Sequence, residues 1–386
     1  MTRRYRVGIA GGGQLARMMH QAAIPLGIDV RLLAEGPDVS AAQVVADTIV
    51  GDYRELAVLR RFADGCDAIT FDHEHVPTKY LEELGEFAAV RPGPQALVYA
   101  QDKADMREYL SDLRVPCPAF AVCDDAAQAI AFADSRGWPI ILKTSRGGYD
   151  GKGVWKVDGP DEILEIFANK PTVSAGERVR IVAEEFIDFA RELSALVVRA
   201  PSGQVVAYPI SQTTQEDGIC VETVTPAPGL DEERAAELQV MAINIAAELG
   251  VVGVLAVELM EARDGRIVVN ELAMRPHNTG HWTIDGAVTS QFENHIRAVL
   301  DLPLGSPELR DDVAVMRNVL GGAEPDLTGA LQHVFARDRA ARVHLYGKTV
   351  VPGRKVGHVT CLGSDVDDVL RRARHAAGYL MGDPDA

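Results

Sequence analysis

The apolar run at residues 6–10 (RVGIA) is too short for a helix and reads as a buried strand. Past three glycines the period changes. Leu15, Met18, Met19, Ala22 and Ala23 fall at i, i+3, i+4, i+7 and i+8, so residues 14–23 predict a helix with one apolar face, stopped by Pro25. IDVRLL (28–33) supplies the next strand, and VVAD (44–47) and DAITFD (67–72) are further short apolar runs. Strands alternating with crossover helices predict a parallel, doubly wound sheet, and RPGP (91–94) punctuates its end.

QDKADMREYLSDL (101–113) reads as a helix. WPIILK (138–143) and GVWKV (153–157) read as strands around a glycine-loaded loop, in a small β-rich unit closing near IVAEEFI (181–187). ELSALVV (192–198), VVAYPI (205–210) and VLAVELM (254–260) surround one long helix, DEERAAELQVMAINIAAEL, with Gly250 just past its end. A strand-rich tail at 343–361 is expected to complete the chain. The pattern mixes α/β and α+β character, and 386 residues suit two or three domains.

Composition adds exclusions. Apolar residues are 47% and charged residues 25%, ordinary globular proportions. The five cysteines are scattered without a CxxC spacing, which predicts reduced cytoplasmic thiols, not a disulfide framework or a zinc site. The start MTRRYRVGIAGGG has the basic residues of a signal peptide without its apolar stretch, and no segment approaches the ~20 apolar residues of a membrane span. A soluble, untargeted, cytoplasmic chain is expected. The net charge of −17 argues against nucleic acid or an anionic membrane as partner. Small anions remain open to it, provided local cations or a metal receive them.

The segment VLAVELM-EARDGR-IVVNELA carries the sharpest chemistry. Asp264-Gly265 between apolar strands predicts a hairpin with a two-residue type I′ turn. Arg263 then faces Arg266, Ala262 faces Ile267, and the register continues until Glu258 lies opposite Glu271. Carboxylates so paired, with Cβ atoms ~5 Å apart, repel unless something compensates. A divalent cation shared with substrate phosphates is the economical answer, because Mg²⁺ binds through one or two carboxylates plus phosphate oxygens. Two solvated glutamates are the plain alternative, and their strongly apolar strands weigh against it.

Two glycine-rich turns follow from the same logic. In Thr-Ser-Arg-Gly-Gly-Tyr-Asp-Gly-Lys-Gly (144–153) the glycines let backbone N–H groups approach an anion, with Lys143 and Lys152 as point charges. A mobile hairpin loop would need only the glycines. Gly11-Gly-Gly13-Gln-Leu-Ala16, with Glu35 after the second strand, fits the dinucleotide fingerprint GxGxxA. Doubly wound domains use that turn without any dinucleotide, and nothing later in the chain offers hydride transfer.

SRGGYDGKG (145–153), VLAVELM…VVNELA, RPHNTGHWT (275–283) and YGK…PGRKVGHV (346–359) occur in that order. Together, and with the start GGGQLARMM, they closely resemble the 5-(carboxyamino)imidazole ribonucleotide synthases, a family of the ATP-grasp superfamily in purine biosynthesis. The blocks HNTGHWT and GRKVGH are specific to the family. The glutamate pair and the glycine loop mark only the superfamily.

The resemblance implies an ATP-grasp fold: an N-terminal doubly wound (Rossmann-like) domain over 1–104, a small lid domain over 105–183 and a larger C-terminal domain over 184–386. ATP and Mg²⁺ are the implied cofactors. Lys103 and Lys143 would contact ATP phosphates, and Gly148, Tyr149, Asp150, Gly151, Lys152, Gly153 and Val154 would cover them. Glu258 and Glu271 would hold Mg²⁺, with Asn270 alongside. Glu184, Glu185, Phe186, Ile187 and Glu192 match adenine and ribose contacts. For the aminoimidazole ribonucleotide the matching positions are Tyr149, Asp150, Lys152, Arg275, His277 and Asn278, and its phosphate would meet Lys348, Arg354 and Lys355. Gln14, Leu15 and Glu74 are carried over from a sibling ATP-grasp enzyme. Asp150, Lys152, Arg275 and His277 are the implied catalytic set. Met274 stands where a proline is usual and Lys103 where some relatives carry arginine, and neither change removes a charge that the chemistry needs. A homodimer is implied by resemblance alone.

Bicarbonate would attack the γ-phosphate of ATP, giving carboxyphosphate and ADP, and the exocyclic amine would then be carboxylated. Asp150 and His277 are both candidates to take the amine proton. Two rival readings stand beside this one, a formate-dependent phosphoribosylglycinamide formyltransferase and, from another class, a nicotinamide-dependent oxidoreductase.

Overall fold

The computed structural model describes residues 4–147, 153–169 and 179–383. Its first sheet is parallel throughout, with five strands in the spatial order Asp47–Val50, Asp29–Ala34, Arg6–Ala10, Ala68–Phe71, Ala89–Val90. The helix Gln14–Ala23 has the expected bounds and buries Leu15, Met18, Met19 and Ala23. The expected strand at 44–47 forms instead at Asp47–Val50, because residues 41–44 are taken into a turn. Strand order reverses on either side of Arg6–Ala10, so the loops after Ala10 and Phe71 open side by side, where such sheets form their crevice.

A four-stranded antiparallel sheet follows, ordered Phe120–Cys123, Ile181–Glu185, Ile140–Thr144, Val154–Val157. The third sheet has nine strands among the described residues, running from Ile267–Ala273 at one edge through Gly253–Ala262 and Phe189–Arg199 to Arg342–Leu345. The helix Glu232–Glu248 covers one face of this sheet, burying Leu238, Ala242 and Ile245 against Leu193, Leu255, Val257 and Leu259. Alternation along the strands then turns Glu192, Ser194 and Glu258 to the opposite face, where a site can form.

The strand-rich tail forms as Arg342–Leu345 paired with Lys355–Gly363, but, against expectation, it does not complete the chain. After the strand Lys355–Gly363 comes a helix, Val366–Leu380, which packs Val369, Ala373, Ala376 and Leu380 against Val315, Val319 and Val359. Its N-cap Asp365 and its apolar spacing were visible in the sequence.

The first domain is bolted to the third sheet through His295. Its Nδ1 accepts from Val254 N–H at 3.1 Å, which leaves Nε2–H to donate to Thr70 Oγ1 at 2.7 Å. Burial holds this ring neutral, its pKa pulled down to about 3. The unfolded chain therefore binds the extra proton first as pH falls through ~6.5, and stability drains away by up to about 1.4 kcal/mol per pH unit toward pH 3. Between pH 7 and 5 this residue accounts for about 2 kcal/mol. Urea unfolding of His295→Gln should show an acid loss smaller than the parent's by that amount, and an equal loss would rule the assignment out.

Candidate active site

The hairpin does set Glu258 opposite Glu271, by a route the sequence did not suggest. The turn has three residues, 263–265, closed by Ala262 N–H to Arg266 O at 2.8 Å and Gly265 N–H to Ala262 O at 2.9 Å. Gly265 lies at φ +85°, while Asp264 is absent from the left-handed region that a type I′ turn requires. The longer turn shifts the register by one residue, pairing Glu261 with Ile267 and Leu259 with Val269. A bulge at Asn270 shifts it back. Val269 points into the core and Glu271 does not, so the bulge presents two consecutive side chains, Asn270 and Glu271, on the site face.

Cations meet both. Lys103 Nζ reaches Glu271 Oε1 at 2.8 Å, and Lys143 Nζ donates to Asn270 Oδ1 at 3.0 Å and to Glu184 Oε2 at 2.8 Å. His277 Nε2 lies 3.2 Å from Glu258 Oε1. Burial pushes the Glu258 carboxyl up, but the His277 bond and the charges of Arg275 and Lys103 hold it below its ordinary range. Glu184 is pulled down to about 2: burial opposes ionisation, and Lys143 and Arg107 outweigh it. Glu192, on the same sheet face, goes the other way, pushed up to about 7 by burial and by the nearby Glu258. The two opposed carboxylates are hard oxygen ligands that could hold Mg²⁺ with phosphate oxygens completing its shell. Among the described residues no cluster of three or more His, Cys, Asp or Glu offers a softer or fuller metal site.

The segment 184–187 crosses from the four-stranded sheet toward the strand Phe189–Arg199. Glu185 accepts from Ala119 N–H at 3.0 Å, Phe186 is exposed with Lys156 Nζ 5.0 Å from its ring centroid, and Ile187 is buried against Ala262 and Val268. Val154 begins the adjoining strand, directly after Gly153. Gly148, Tyr149, Asp150, Gly151 and Lys152 lie outside the described residues.

On the other side of the glutamate pair, Arg275 Nε binds Glu74 Oε2 at 2.8 Å, drawing the loop after the fourth strand of the first sheet against the third sheet. His277 is fixed at both ends: Gln291 brackets its peptide N–H and C=O at 2.9 and 2.7 Å, and its Nδ1 contacts Thr279 Oγ1 at 2.9 Å. Both polar atoms of the Asn278 amide are sheltered and unpaired. Lys348 Nζ donates to Gln14 Oε1 at 2.5 Å. Burial, with the charges of Arg354 and Lys355 close by, lowers the Lys348 pKa, so an anion placed here would relieve the repulsion. Leu15 keeps its side chain away from solvent. It is buried in the first domain's core, so only its main chain could meet a ligand.

The dinucleotide fingerprint is occupied by the protein itself. Gly12 N–H donates to Glu35 Oε2 at 3.2 Å, and Asp72 accepts from Gly13 N–H at 2.5 Å and Ala16 N–H at 3.1 Å. A Cβ on Gly13 would fall 2.2 Å from Asp72 Oδ2, so the glycine serves this carboxylate. Two carboxylates on those amides disfavour a pyrophosphate there. Sequence reasoning missed Asp72, although it ends the apolar run DAITFD, and missed Arg107, four residues after Lys103 on the helix Lys103–Asp112.

Comparison with known proteins agrees with this layout. The ribonucleotide synthetase preATP-grasp domain family matches residues 4–101, the ATP-grasp domain family residues 108–292, and the phosphoribosylaminoimidazole carboxylase C-terminal domain family residues 314–372. The N5-carboxyaminoimidazole ribonucleotide synthase of Mycobacterium tuberculosis is 51% identical over 382 residues, covering 97% of this chain and 87% of the relative. The crystal structure of the Aspergillus clavatus N5-carboxyaminoimidazole synthase with ADP and 5-aminoimidazole ribonucleotide superposes with a TM-score of 0.88 at 31% identity, covering 98% of this chain and 99% of that one. The synthetase from Thermus thermophilus gives a TM-score of 0.86 at 36% identity, with 98% and 99% coverage.

Proposed function

Since the chain belongs to the N5-carboxyaminoimidazole ribonucleotide synthase family, we infer that it carboxylates 5-aminoimidazole ribonucleotide in de novo purine biosynthesis. Bicarbonate and ATP are consumed, and 5-(carboxyamino)imidazole ribonucleotide, ADP and phosphate are formed through carboxyphosphate. The observation that carries this reading is one opposed glutamate pair flanked by two separate cation groups. Lys103 and Lys143 meet Glu271 and Asn270 directly, and Lys348 with Arg354 and Lys355 forms a second group beside Gln14.

Each group suits one substrate. Lys143 and Lys103 would neutralise ATP phosphates, with the loop Gly148–Val154 over them, Glu184 to Ile187 and Glu192 along the nucleoside, and Asn270 beside Glu271. Glu258 and Glu271 would hold Mg²⁺, which when bound neutralises charge building on the transferred phosphoryl group. Lys348, Arg354, Lys355 and Gln14 would take the ribonucleotide's phosphate. Arg275, His277 and Asn278 would meet the ribonucleotide, together with Tyr149, Asp150 and Lys152. Glu74 would act by orienting Arg275. Enclosure matters here, since carboxyphosphate meets water on any open path. Asp150 and His277 remain the candidates for the amine proton. We also propose three domains, close to the expected 1–104, 105–183 and 184–386 and supported by the three separate sheets. The first boundary is drawn before the helix Lys103–Asp112 and the second after the strand Ile181–Glu185, each of which is continuous. A cytoplasmic homodimer is supported by resemblance alone.

The decisive experiment measures ADP release with bicarbonate plus 5-aminoimidazole ribonucleotide, and with formate plus glycinamide ribonucleotide. Release that depends on the first pair is expected, and dependence on the second would transfer the chain to the formyltransferase. Lys348→Met should raise KM for the aminoimidazole ribonucleotide by at least about tenfold, in line with one lost charge-assisted contact, and leave KM for MgATP nearly unchanged. A KM change confined to ATP would misplace the phosphate cluster.

A further inference from the structure

We propose that Arg107 is a positioning residue for the nucleotide and metal site, fixing Asn270, Glu271 and Glu184 relative to one another without touching substrate. The inference rests on the reading of those three residues given above. Arg107 is fully buried on the helix Lys103–Asp112, one turn after Lys103. Its guanidinium donates in three directions: Nε to Glu184 Oε1 at 2.7 Å, Nη1 to Val269 O at 3.1 Å and Nη2 to Asn270 O at 2.7 Å.

The two carbonyls belong to the bulge, on a strand that forms the edge of the nine-stranded sheet. An edge strand at a bulge has backbone groups without ladder partners, and its geometry is free to drift unless something takes them. Here Val269 N–H is taken by Pro116 O at 2.8 Å, and the carbonyls on either side of the bulge are taken by one planar fork. The same fork grips Glu184, whose second oxygen binds Lys143, and Lys143 closes the circuit on Asn270 Oδ1. Arg107, Glu184, Lys143 and Asn270 thus form a ring across four elements of the fold, one helix and three strands. Glu271, the residue after the bulge, inherits its orientation from that ring. A lysine keeps the charge at position 107 but cannot hold three coplanar acceptors, so Arg107→Lys separates geometry from electrostatics.

The test compares the parent with Arg107→Lys and Arg107→Met in melting temperature, KM for each substrate, half-saturating Mg²⁺ and MgADP affinity by calorimetry. Arg107→Lys should melt within a few degrees of the parent and keep its KM for aminoimidazole ribonucleotide. Its half-saturating Mg²⁺ should rise at least about fivefold, and kcat should fall about tenfold or more, as when the residues supporting metal ligands are lost. Arg107→Met should be worse in every respect, and if it does not fold the lysine variant decides. Parental Mg²⁺ and MgADP dependence in Arg107→Lys would overturn the proposal whatever its melting temperature. Calorimetry with MgADP does not depend on the reaction, so failure here is distinct from failure of the functional reading, which would appear as parental ADP release indifferent to aminoimidazole ribonucleotide.

Discussion

Glu271→Gln is expected to fold as the parent does and to release ADP at least about a hundredfold more slowly, a loss typical of removing one preorganised electrostatic element from a phosphoryl-transfer site. Glutamine keeps the shape and one carbonyl oxygen. What goes is the negative charge that faces Glu258 and receives Lys103. Folding should tolerate the change because the Glu271 side chain is 41% exposed, so its ion pair contributes little to stability. In the bare protein the exchange even relieves repulsion with Glu258. The charge is useful only when a cation sits between the two, so activity and stability should part company in this variant. Near-parental ADP release at saturating Mg²⁺ would mean that Glu271 only tethers Lys103, and the metal assignment would fall with it.

That pair shows how far a sequence can be read. Apolar alternation set the two strands, and Asp264-Gly265 set the reversal, so the opposition of Glu258 and Glu271 was legible. The expected two-residue turn was wrong by one residue, and the bulge at Asn270 corrected it by one. Two compensating errors cannot be separated by a pattern whose period is two, since each alone would have sent Glu271 into the core. The bulge also explains what a strict alternation forbids, adjacent residues Asn270 and Glu271 both meeting lysines.

Residues that act through charge balance were harder to see than those in a motif. Asp72 and Glu35 close the fingerprint loop of the first domain, and only their three-dimensional placement shows that this loop is filled from within. Arg107 looks in sequence like one more basic residue on an amphipathic helix. Its distinction is to be wholly buried, which a chain of net charge −17 does not announce. The helix Val366–Leu380 is a different case. Its cap and spacing were present, and the preceding apolar strands drew attention from them.

Glu184→Gln should be the most damaging single change to stability among these site residues. The Glu184 side chain is 3% exposed and stands between Arg107, fully buried, and Lys143, 11% exposed. Removing the anion paired with both buried cations typically costs about 3–5 kcal/mol, because the cations stay buried without that counter-charge. Proton linkage gives a similar figure by a separate route. A carboxyl at about 2 in the folded chain against 4.5 unfolded contributes about 3 kcal/mol at neutral pH. Since the folded pKa is the lower one, that contribution is complete above pH ~4.5 and disappears as pH falls toward 2. Parent and variant should therefore differ by about 3 kcal/mol or more in urea unfolding at pH 7, and the gap should narrow steadily below pH 4.5. Lys143 and Asn270 would be released together, so half-saturating MgATP should also rise about tenfold or more, as for other losses in the shell behind a metal site. A variant within 1 kcal/mol of the parent at pH 7, or a gap independent of pH, would show that Glu184 does not balance the two cations, and that the ring around Asn270 is held by geometry alone.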